Sequence, residues 1–228
     1  MIAKAPQIGF DRFIQLDWVA AALRVRAGTA GLDELNAQLA TAGLGKEAQA
    51  KTRTKLNALA LSPRADLVDF IDRGVRLFAS AGVTADVAPF AWGAALATYP
   101  YFGKVAEFTG RLTSIQGDCS VAEINRRMSE VYGEREVTKR ATRAVIQTQG
   151  NWGVIKREEQ GKRLVRVPAR SLANERMVAW LIESALLYEE KGIPLATLQS
   201  LAVMYPFAFN RPLGYLVSRS PMLELRSE

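Results

Sequence analysis

The sequence predicts a mainly α-helical protein carrying one small β-hairpin, and three observations predict it. Apolar residues recur every three or four positions through most of the chain, which is the period of a helix with one buried face. Two short β-like runs flank a turn within residues 154–167. Across 228 residues, 49% are hydrophobic and 23% charged, a composition that folds into a globular core rather than staying disordered.

Each element follows in order. Phe13, Leu16, Trp18, Val19, Leu23 and Val25 mark a helix that stops at Gly28, and Leu32, Leu35 and Leu39 mark a second that runs toward Gly43. A third, over 46–61, sets Leu56, Leu59 and Leu61 behind a polar start. Ser62-Pro63 begins a fourth, through Leu67, Phe70, Ile71, Val75 and Phe78 to Gly82. Residues 84–98 and 101–117 form the most apolar pair. They divide at Tyr99-Pro100, because the residue before a proline is disfavoured in helical geometry, and they are expected at the centre of a bundle.

From Cys119 onward the pattern changes. Ser120-Val121-Ala122-Glu123 fits the S-x-x-E capping box, in which a hydroxyl and a carboxylate each satisfy an orphan amide at a helix start. Val121, Ile124, Met128 and Val131 continue that helix, with Arg126 and Arg127 off its apolar stripe, until Tyr132-Gly133 turns the chain. A second helix starts at once, with Glu134 and Glu136 at its positive end. Val137, Ala141, Ala144, Val145 and Thr148 share its inner face, and Lys139, Thr142, Arg143 and Ile146 are assigned to the outer one. Gly150-Asn151-Trp152-Gly153 ends it, and strands over 154–157 and 163–167 flank Gln160-Gly161. Residues 170–228 return to helix. One runs through Met177, Trp180, Leu181, Ala185 and Tyr188 to Gly192, a second over 194–206 and a third over 212–218, while 222–226 alternates like a final strand.

Charge is localised. Residues 1–125 carry a net of +1 and residues 171–228 a net of −1, so the whole surplus of +7 resides in residues 126–170, with 12 basic side chains against 5 acidic ones. Such a surplus in one short block is the footprint of a module that docks on phosphates. The order helix, tight turn, helix, basic hairpin is that of a winged helix-turn-helix, whose second helix fits the DNA major groove. The expected contact residues are Arg126 and Arg127 on the first helix; Arg135, Lys139, Arg140, Thr142, Arg143 and Gln147 at and along the second; and Lys156, Arg157, Lys162, Arg163 and Arg166 on the hairpin.

The run RATRAVIQTQGNWGVIKREEQGKRLVRV, residues 140–167, resembles winged-helix DNA-binding domains. With a helical domain over 1–106, the winged helix over 107–170 and a helical extension over 171–228, the layout also resembles the BrxA family of BREX phage-defence systems. That resemblance implies a DNA-binding accessory factor in antiviral defence, with double-stranded DNA and other phage-defence proteins as partners. The residues themselves leave two other readings open: an adaptor that turns the winged helix against an acidic protein surface, or a transcriptional regulator.

Catalysis is not expected. The chain has no histidine and one cysteine, Cys119, which removes Ser-His-Asp and Cys-His chemistry, His-ligated metals, disulfides and iron-sulfur clusters. No phosphate-binding glycine motif occurs, and no cofactor is expected. Cys119 reads as a small residue at a turn, Trp152 and Trp180 as core, the 51–55 basic run as a charged helix face, and Asp66, Asp69 and Asp72 as a solvated one. The start MIAKAPQIGFDRF has no secretory pattern, and prolines interrupt the apolar stretches 87–103 and 192–210, so a cytoplasmic protein without membrane spans is expected.

Overall fold

A computed structural model describes residues 7–82, 85–198 and 200–226. The described residues form a mainly helical protein. Helices α1 (Leu16–Arg26), α2 (Leu32–Thr41), α3 (Lys46–Leu56) and α4 (Val68–Ala81) come first, then α5 (Ala88–Thr98) and α6 (Pro100–Gln116). The mid-chain unit runs β1 (Asp118–Ser120), α7 (Val121–Tyr132), α8 (Glu136–Asn151), β2 (Ile155–Glu158) and β3 (Arg163–Arg166). The rest comprises β4 (Arg170–Leu172), α9 (Glu175–Glu189), α10 (Leu195–Leu198), β5 (Phe207–Phe209) and α11 (Leu213–Arg219).

Helix α5 is the axis of the core. Its sequence, APFAWGAALAT, holds no charge, and all eleven residues are buried beneath α1, α4, α6 and α9. The expected centre of the bundle is where the sequence put it, although α5 begins at Ala88 and Thr84 lies outside the described residues. Trp180 of α9 wedges between α4 and α5 because Gly74 and Gly93 leave room for its ring; a Cβ at either would overlap the indole. Phe70 stacks on it at 4.6 Å, and its ring N–H donates to the Phe70 carbonyl at 2.9 Å. Two further indoles tie distant segments the same way: Trp92 donates to the Val203 carbonyl at 2.9 Å and Trp152 to that of Ile14 at 3.0 Å. Aromatic bulk and one satisfied N–H make tryptophan suited to that role.

The mid-chain unit has winged-helix topology. Strand β3 lies between β1 and β2, antiparallel to both, with Leu164 opposite Cys119 on one side and Arg157 on the other. The Ser120 hydroxyl accepts from the Glu123 amide at 3.0 Å and starts α7. At the hairpin tip Glu159, Gln160 and Gly161 all take positive φ, the tight reversal that the glycine makes tolerable.

Several boundaries move. Helix α1 starts at Leu16, because Ile14 and Leu16 give their amides to side chains at the end of α8. Helix α3 ends at Leu56 and a single π-turn, Asn57–Leu61, finishes the segment. The expected boundary at 106/107 falls inside α6, and one core cluster runs from Phe10 to Phe207. Cys119 sits in a strand rather than a turn. In the C-terminal part, β4 and β5 pair in parallel where helix was expected, since Pro206 ends the preceding turn, its carbonyl accepts from the Arg170 amide, and Phe207 packs beside Trp92. The alternating tail 222–226 forms no strand. No described helix is long and apolar enough to cross a membrane.

Burial holds several acidic protons in place. It raises the phenols of Tyr99, Tyr188 and Tyr205, raises Tyr132 to about 12, and, helped by Glu123 and Asp118, raises the Cys119 thiol to about 12. An unfolded chain loses these protons near 9 for the thiol and near 10 for the phenols, so alkali favours the unfolded state. Stability is therefore expected to fall as pH rises from about 9 toward 12; urea midpoints at pH 8 and pH 10.5 check this.

Candidate nucleic-acid interface

The interface is set by how α8 sits. Thr138, Ala141, Thr142, Val145, Thr148 and Gln149 form its buried face. The threonines bury cheaply because their hydroxyls bond back into their own segment: Thr138 to the Gly133 carbonyl, Thr142 to that of Thr138 and Thr148 to that of Ala144, at 3.0, 2.9 and 2.9 Å. Three remote groups then lock the face. The Tyr101 hydroxyl lies 2.8 Å from both the Thr138 carbonyl, to which it donates, and the Thr142 hydroxyl. The Ile14 amide donates to the Thr148 hydroxyl at 3.0 Å, and the Tyr205 hydroxyl to Oε1 of Gln149 at 3.1 Å.

With that face fixed, Arg140, Arg143 and Gln147 form one exposed stripe. Lys139 lies half-buried at its edge, 3.6 Å from Glu134. Thr142 is corrected: it is fully buried, linked to Tyr101, and cannot touch a base edge; Ile146, assigned to the same outer face, is buried too.

The hairpin adds Lys156, Arg157 and Lys162, all exposed. Arg157 is placed by two glycines: a Cβ at Gly150 would stand 3.1 Å from its Cδ, and one at Gly161 would press on its guanidinium. Its side chain therefore lies across the gap from the end of α8 to the hairpin tip. Beside it runs an open groove of about 720 Å³ lined by Phe13, Gln147, Asn151, Lys156 and Arg157. Sequence reasoning missed Phe13, which reads as the first residue of a helical stripe. The Trp152 bond to Ile14, which brings the N-terminal segment here, has no local signature.

Other expected contacts are engaged elsewhere. Arg126 pairs with Glu130, and Arg127 with Glu123 at 3.2 Å beneath the Phe108 ring. Arg163 is held by Asp118, with Glu158 at 3.7 Å. Arg166 turns inward, donating to the Tyr205 carbonyl at 3.1 Å and stacking 5.6 Å from its ring. Exposed Arg135 donates to the Tyr132 carbonyl at 2.8 Å, closing α7. Arg140, Arg143, Lys156, Arg157 and Lys162 have no carboxylate within 4 Å among the described residues.

Neither other charged cluster forms a site. In the 51–55 run, Lys51 pairs with Glu47, Lys55 with Asp11 at 3.1 Å, and Thr52 is buried. Of the three aspartates, Asp66 pairs with Arg64 and Asp72 with Arg26. The chain matches no protein-family model, no curated protein and no solved structure.

Tyr101→Phe removes one hydroxyl that bonds to two groups on α8, while the Thr142 hydroxyl and the Thr138 carbonyl keep each other as partners. It is expected to lower stability by ~0.5–1.5 kcal/mol, read as a shift in urea midpoint at constant slope.

Proposed function

We propose that the chain binds double-stranded DNA through its winged helix, with α8 in the major groove and the hairpin on flanking phosphates. An α-helix with its side chains is about 10–12 Å across, which suits a groove about 12 Å wide. The observation that carries the reading is the sorting of charge: Arg140 and Arg143 on the outer stripe of α8 and Lys156, Arg157 and Lys162 on the hairpin lack carboxylate partners among the described residues, while Arg126, Arg127 and the hairpin's Arg163 are paired. Unpaired guanidinium and ammonium groups on adjoining elements are suited to displacing the counterions of a polyanion. Arg143 and Gln147, one helical turn apart, are the side chains of the stripe able to reach base edges, and Lys156, Arg157 and Lys162 are suited to backbone contacts. The resemblance to the BrxA family extends this reading to an accessory role in phage restriction, for which the layout of the chain is the support.

Five such cations would give a slope of log affinity against log salt near −4.5, from roughly −0.9 per phosphate neutralised. In fluorescence anisotropy with a labelled 20-base-pair duplex, affinity is then expected to fall about 500-fold between 50 and 200 mM salt. Arg143→Glu should weaken binding at least tenfold, while Arg126→Glu, at a residue already paired, should change it less than about twofold. Indifference to salt, or equal loss in both variants, contradicts the proposal.

A further inference from the structure

Helices α4, α9 and α11, with the segment that follows α11, border a half-open cavity of about 740 Å³ that shares no residue with α8 or the hairpin. Its size is that of small-molecule sites. The wall is partly hydrocarbon: Leu77, Ala179, Trp180, Leu216 and Met222 contribute to it. Trp180 and Leu216 are buried behind this wall, and Leu77, Ala179 and Met222 are the residues that offer a ligand apolar surface.

The rest of the lining is cationic. Arg73, Arg76, Arg176 and Arg219 face the cavity against two carboxylates, Glu175 and Glu183. Both carboxylates have partners: Glu183 pairs with Arg73, and Glu175 lies 3.7 Å from Arg211. Arg219 packs 5.6 Å from the Tyr215 ring. Arg76 and Arg176 are exposed and have no carboxylate within 4 Å among the described residues. Like charges gathered at one concave site repel, and a bound anion relieves that repulsion while its body covers the apolar wall.

We propose that this cavity binds a small amphipathic anion, a carboxylate, sulfonate or phosphate head held by the arginine rim and an aromatic or aliphatic body set against Leu77, Ala179 and Met222. The site stands independently of the DNA-binding reading.

The probe is 1-anilinonaphthalene-8-sulfonate, with N-phenyl-1-naphthylamine as its uncharged counterpart, each titrated by fluorescence into the full chain. One saturable site for the sulfonate is expected, with the neutral probe binding at least tenfold more weakly. The double variant Arg76→Glu/Arg176→Glu should weaken sulfonate binding at least tenfold with the melting temperature unchanged. Where the reversal lowers that temperature, Arg76→Gln/Arg176→Gln replaces it with the same expected loss. Several equal sites, equal affinity for both probes, or indifference to the substitutions overturns the proposal.

Discussion

The rotation of α8 about its own axis is the constraint on which the surface of this protein depends. A helix with threonines at 138, 142 and 148 and arginines at 140 and 143 could turn more than one side inward on polarity alone. The choice is made by hydrogen bonds from Tyr101, Ile14 and Tyr205, which belong to α6, the N-terminal segment and the C-terminal part. Breaking the bond from Ile14 or Tyr205 leaves a buried amide or the Gln149 side-chain oxygen without its partner, an expensive outcome in a low-dielectric interior. The exposed arginine stripe is the remainder of that decision.

The nearly neutral flanks therefore set the geometry of the candidate interface. Residues 14–16 bond to the end of α8, and Asn151 accepts from the Leu16 amide at 2.7 Å. Helix α9 returns from the other end of the chain to fill the slot made by Gly74 and Gly93. Arg170 bridges Asp86 and the Trp152 carbonyl, tying the wing side of the molecule to the start of α5. Three indole N–H groups spent on distant carbonyls make the core continuous across every boundary the charge pattern had suggested.

What the sequence made legible was local. Helix order, the Ser120 cap, the turn at Gly133 and the hairpin each arise from residues close in the chain, and each formed. What it hid was non-local or concealed by residue type. Strand β1 is three residues long and exists because β3 pairs with it. Thr142 looked like a surface residue because a threonine whose hydroxyl returns to its own helix reads as polar in text and behaves as a small core residue in space. The charge surplus of the middle block was correct as a sum, but which cations are free depends on partners such as Asp118, far from Arg163 in sequence. Arg166 faces inward for the same kind of reason, drawn to Tyr205.

The most direct measurement is hydrogen-deuterium exchange of the full chain with and without a 20-base-pair duplex, because it reports where DNA covers the backbone rather than whether it binds. Slower exchange concentrated in residues 136–147 and 155–163, with 121–130 and 46–61 unchanged, is the predicted footprint. Protection centred on α2 and α3, or none anywhere at saturating duplex, would contradict the account.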